Sequence, residues 1–220
     1  MLLQNEEKLD KIRSAISKIG IMIIDAGSMV SEALLEGDKE WLEKARDKLK
    51  NIDAYANQTD NEIVASLALF GAEAGDLREL VSYLKITNEL VRMADNLRGF
   101  AKNITLYIND AGRFVLLKEY VTQLYKASTS AVVTAIGLIG SKDNVEDLYR
   151  KVMVEESKSD DLYALMEKNV LDLNMLSEDF IANYAKILNT VRKLEKMADR
   201  AVAVAKLVLF AKSGGELKLY

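Results

Sequence analysis

One six-residue pattern occurs twice in the chain. Leu90-Val91-Arg92-Met93-Ala94-Asp95 is answered by Leu194-Glu195-Lys196-Met197-Ala198-Asp199, and the two aspartates stand 104 positions apart in 220 residues. A repeat at nearly half the chain length constrains the fold more than any isolated motif. On the same offset Leu84 pairs with Leu188, Ala101 with Ala205 and Lys102 with Lys206. One position differs in kind, since Val91 stands where the second copy has Glu195.

The residues around the repeat specify helix. The chain has no Pro and only 11 Gly, and half of it is hydrophobic while 29% is charged. That balance supplies a sizeable core and does not suit disorder. A proline-free chain rich in Ala, Leu, Glu and Lys favours helix throughout. Its β-branched residues seldom fall in the alternation that a strand needs. Apolar residues recur instead at alternating steps of three and four, as in the seam of a helical bundle. Residues 5–35 follow this strictly, with Leu9, Ile12, Ile16, Ile19, Ile23, Ala26, Val30 and Ala33 on one stripe. Similar seams predict helices over 39–70, 77–109, 114–139, 144–173 and 177–211. Gly37 is placed to end the first helix, and Asp38 and Asp76 to cap the starts of the second and third. Short loops make neighbouring helices antiparallel. The expected fold is therefore all-α: two tandem three-helix bundles, residues 1–110 and 111–220, related by a pseudo-twofold and built from six long antiparallel helices.

Several classes of function are disfavoured. The net charge is −4, with no basic patch of the kind that neutralises a phosphate backbone, so nucleic acid is not an expected partner. There is no Cys, hence no disulfide framework and no thiolate metal site. There is also no His, which removes the commonest metal ligand and the commonest general base. A metal held by this chain needs oxygen ligands, which suit hard cations. No Gly-rich phosphate loop or nucleophile elbow is present. The longest apolar run, Ala131 to Ile139, is far short of the roughly 20 residues that span a bilayer. The first residues do not read as a signal peptide, so a cytoplasmic location without membrane insertion is expected.

Acids interrupt the seams of the last two helices. Glu156 takes a seam position between Val152 and Ser159, and Asp160 lies one turn on. Glu195 takes a seam position between Val191 and Ala198, with Asp199 one turn on. Residues four apart share a helix face, and carboxylates facing a bundle interior are costly unless paired or bound to metal. Facing Glu and Asp are also how bundle metal sites are made. The first half offers an internal control, because Leu49 aligns with Glu156 and Val91 with Glu195, while Asp53 and Asp95 keep the aspartate positions. Two readings of the second-half acids stand at this point. They form a carboxylate metal cluster, or they take a rim or ion-pair role, with Glu195 at a bundle rim paired with Lys193, Lys196 or Arg200. A diiron-type carboxylate enzyme is a further alternative, disfavoured because such bundles usually use Glu-x-x-His. So is a plain accessory or structural bundle.

Gly75-Asp76-Leu77-Arg78-Glu79-Leu80, followed by Leu84-Lys85-Ile86 and by Leu90 to Asp95, resembles the PhoU family of phosphate-transport regulators. Members carry an Asp-Leu-Arg stretch ahead of a Leu-Glu-Arg-Ile-Gly-Asp motif, and Leu194 to Asp199 resembles its second copy. Ala33 to Asp38 and Glu156 to Tyr163 resemble the end of the family's first helix and its acidic fifth helix. The resemblance implies two three-helix bundles with multinuclear metal sites. It implies a non-enzymatic regulator that restrains a phosphate ABC transporter, through its ATPase, and couples it to a sensor histidine kinase. Iron or another hard divalent or trivalent ion is the implied cofactor, and a homo-oligomer is expected. Carried over by position, the metal ligands are Glu156, Asp160, Glu195 and Asp199, with Asp53 and Asp95 as weaker first-repeat candidates. The chain departs from the pattern at Leu49 and Val91, at Ala94 and Ala198, and at Asn96 and Arg200. One carboxylate cluster is therefore expected, in the second repeat.

Overall fold

The computed structural model describes residues 2–70, 74–110, 117–141, 144–172 and 178–214. Seven helices cover nearly all of them: α1 (Leu2–Glu36), α2 (Lys39–Lys48), α3 (Ile52–Phe70), α4 (Ala74–Ile104), α5 (Lys118–Gly140), α6 (Val145–Asp172) and α7 (Glu178–Ser213). The α1 seam is buried as its spacing predicts, from Ile12 through Ala33. Gly37 ends α1 with a φ of +76° and donates its N–H to the Ala33 carbonyl at 2.8 Å, a left-handed cap that favours glycine. Asp38 then caps α2, accepting from the Glu40 N–H at 2.9 Å. Among the described residues, no helix is long and apolar enough to cross a membrane.

Two local expectations need correction. The helix expected over 39–70 is split, because Leu49-Lys50-Asn51 tightens into a turn. There the bonds run three residues back, from Leu49 N–H to the Arg46 carbonyl and from Ile52 N–H to the Leu49 carbonyl. Leu49 and Ile52 both stay fully buried, so the apolar stripe passes through the break. Asp76 is not a cap either. The helix starts at Ala74, which puts Asp76 in its first turn, where a carboxylate suits the positive end of the helix dipole.

The halves join through their equivalent helices. The most extensive packing in the molecule is between α4 and α7, and α1 crosses α5 beside it. Both pairs run antiparallel: Gly20 meets Ile136 while Gly27 meets Tyr125, and Glu89 meets Arg200 while Gly99 meets Lys193. A Cβ on Gly20 would lie 2.5 Å from the Ile136 side chain, so the crossing needs glycine there. The buried Tyr125 hydroxyl donates to the Gly27 carbonyl and its ring stacks on Phe100, with centroids 6.0 Å apart. One such buried hydrogen bond stabilises by about 1 kcal/mol. The core is thus continuous across both repeats, and it holds α6 and α7 side by side at one edge.

Candidate metal centre

The orientation of α6 is set by its buried residues. Val152, Ser159 and Met166 face the core, and the Ser159 hydroxyl lies 3.1 Å from that of Ser128 on α5. Glu156 and Asp160 then point along the groove toward α7. On α7, Leu194, Met197, Ala198 and Ala201 are buried, which turns Glu195 and Asp199 to the same groove. One carboxylate oxygen from each of Glu156, Asp160 and Asp199 lies within 4.8 Å of the other two. Glu195 stands one turn before Asp199 and outside that trio. Its Oε2 is buried with no hydrogen-bond partner. The groove is an edge rather than an enclosed interior, since Glu156, Glu195 and Asp199 are half-buried and Asp160 is exposed.

Burial raises all four carboxyls, and neighbouring acids raise three of them further. Burial raises the Glu156 carboxyl above its ordinary range, and Asp160 and Asp199 raise it further while Lys206 opposes them. Burial, then Asp199 and Asp161, raises Asp160. Burial, then Asp199 and Asp160, raises Glu195 against Arg192 and Lys196. Asp199 is raised by burial, against Arg200, Lys196 and Arg192. None of the four forms an ion pair among the described residues. Of the cations that the sequence offered to Glu195, Arg200 bonds Glu89 and Lys193 packs on Gly99, while Lys196 acts on Glu195 without an ion pair among the described residues.

This donor set fits a hard cation. Carboxylate oxygens 4.8 Å apart or closer can flank an ion whose metal–oxygen distances are about 2.0–2.6 Å. The orphaned Glu195 Oε2 lacks the partner that a buried polar atom requires. Beside the cluster a cavity of about 240 Å³ is lined by Glu89, Glu156, Asp199, Arg200, Val202 and Lys206.

The first repeat is built otherwise. Arg98 contacts Asp95 and lies 3.9 Å from Asp53, so a guanidinium bridges the two aspartates. Leu49 is fully buried and Val91 partly so. On the 104-residue offset Arg98 aligns with Val202, a wall of the second-repeat cavity. Both repeats keep the aspartates, but the first fills the place between them with its own cation. The sequence signal for this was available, because the alignment that pairs Val91 with Glu195 also pairs Arg98 with Val202. Glu89 carries no comparable signal, since it reaches the site from the other repeat.

The PhoU domain matches the chain twice, over residues 16–104 and 119–208. The phosphate-specific transport system accessory protein PhoU homolog of Zymomonas mobilis is 24% identical over 217 residues, spanning 96% of this chain and 88% of that one. The homolog of the same name from Streptococcus pneumoniae serotype 4 is 22% identical over 211 residues, 96% of each chain. The crystal structure of the phosphate transport system regulatory protein PhoU from Streptococcus pneumoniae has the same fold, with a TM-score of 0.81 at 22% identity, covering 97% of this chain and 99% of that one. That of PhoU from Pseudomonas aeruginosa has a TM-score of 0.80 at 21% identity, covering 96% and 99%.

Proposed function

The chain belongs to the PhoU family, and on that premise we propose that it is an accessory regulator of phosphate transport that acts by contact with other proteins. The observation that carries this reading is the length of the match. Both halves fit the domain, and curated relatives of nearly the same extent are named as accessory proteins of phosphate-specific transport. The contacts proposed are with the ATPase of a phosphate ABC transporter and with a sensor histidine kinase, on the cytoplasmic side of the membrane. A non-catalytic role agrees with a chain that has no His or Cys to serve as base or nucleophile.

Glu156, Asp160 and Asp199 would hold iron or another hard cation, with Glu195 completing the set from the next turn of α7. A bound cation supplies positive charge where four carboxylates repel. It thereby fixes α6 against α7, whose outer surfaces a partner would meet.

Expression in a bacterium deleted for its own PhoU-type protein tests the regulatory reading. Phosphate uptake measured in phosphate-rich medium should fall when the chain is present, and the transporter ATPase should co-purify with it. An unchanged uptake rate, with the chain folded and no ATPase retained, would contradict the proposal.

A further inference from the structure

Resting on the metal reading above, the cavity beside the carboxylates contains a feature that reading does not require. Glu89 belongs to α4 of the first repeat and is buried, with its side chain 9% exposed. Its Oε2 accepts from Arg200 Nη1 at 3.2 Å across the α4–α7 joint. Arg200 follows Asp199 directly in sequence, lines the same cavity as Glu156 and Asp199, and forms no ion pair with either among the described residues. The first repeat shows that a guanidinium can occupy the place between such aspartates, since Arg98, three residues past Asp95, sits on it and beside Asp53.

We infer that Glu89 is a positioning residue for the second-repeat cation site: it holds Arg200 away from Asp199, so that an external cation rather than the chain's own guanidinium meets the carboxylates. Arg98, which stands at the position Val202 takes in the second repeat, seats a guanidinium on the first-repeat aspartates from a different place in the helix. Arg200 in the second is an internal competitor anchored on a carboxylate from the opposite repeat. Cation affinity is then set partly by a residue that need not touch the ion.

A double-mutant cycle decides this, with Mn²⁺ as the probe, titrated by calorimetry into metal-stripped full-length protein. Glu89→Gln frees Arg200 to reach Asp199 and should weaken Mn²⁺ binding about 3- to 10-fold, the effect of moving one unit charge a few ångströms in a partly solvated site. Arg200→Gln should tighten it by a similar factor. In the double variant, which leaves no orphaned charge and guards against misfolding of Glu89→Gln, the Glu89 change should have lost most of its effect, giving an affinity near that of Arg200→Gln. If the two changes simply add, returning the double variant to the parental affinity, Glu89 acts only through its own charge and the inference is overturned. The same holds if both single variants shift affinity in one direction. Absence of Mn²⁺ binding by the parent would overturn the metal reading and this inference together.

Discussion

Neutralising Glu156 and Asp199 together, as Glu156→Gln and Asp199→Asn, stabilises the metal-free chain and abolishes the stabilisation that a hard divalent cation gives the parent. Without an ion, three half-buried carboxylates and the exposed Asp160 crowd the α6/α7 groove, with no ion pair among the described residues to relieve them. Removing two of the charges should raise stability by up to about 1 kcal/mol, the scale of a partly exposed charge interaction. Cation present at a hundred times its Kd should stabilise the parent by about 2.7 kcal/mol, or roughly 5–10 °C in Tm for a chain of this size, and the double variant scarcely at all. The pH response follows with a definite sign. All four folded-state pKa values lie above their ordinary values, so the folded state binds protons more tightly than the unfolded one. The destabilisation is complete above the raised pKa values. It is relieved as pH falls through them toward the ordinary carboxylate range near about 4. The metal-free parent should therefore gain stability on mild acidification, and the double variant should gain less. Thermal unfolding at stepped pH, with and without Mn²⁺, measures all of these terms.

Leu49→Glu destabilises the chain severely, whereas Val91→Glu costs little, although both place in the first repeat the residue that the second repeat has. Leu49 is fully buried against the core beside the α2/α3 turn. A carboxylate there is sealed from water, and Arg98, the cation facing Asp53 one turn on, is already engaged by Asp53 and Asp95. The cost should exceed about 4 kcal/mol, combining a lost apolar contact with an unpaired buried charge. Val91 is only partly buried, so a glutamate there can turn to solvent at about 1 kcal/mol. Urea unfolding of the two variants compares them directly. Equal, small effects would mean that Leu49 is not locked in the core by the turn.

That asymmetry marks where sequence reading stopped. The seams specified the helices well, because a period of three and four leaves few alternatives to a bundle and Gly37-Asp38 has the chemistry of a stop and a start. The tightened turn at Leu49-Lys50-Asn51 was not legible, since Leu49, Ile52 and Ala56 stay on the buried stripe with or without it. The carboxylates were legible as breaks in the seams, and Glu156, Asp160 and Asp199 do converge. Their half-exposed position was not, because Ser159 takes the inward direction on α6 and leaves Asp160 at the rim. Glu89 and Arg200 are 111 residues apart, and only the α4–α7 packing brings them into one cavity. Arg98 was within reach of the repeat alignment, where a charged residue replaces Val202 in the copy that lacks both glutamates.

Elemental analysis of protein purified without chelator tests the central claim, that the chain has one cation site and that it lies between α6 and α7. The parent and the Asp53→Asn/Asp95→Asn variant should retain the same metal content, and Glu156→Gln/Asp199→Asn should retain none. Metal absent from the parent, or lost equally from the first-repeat variant, would contradict it.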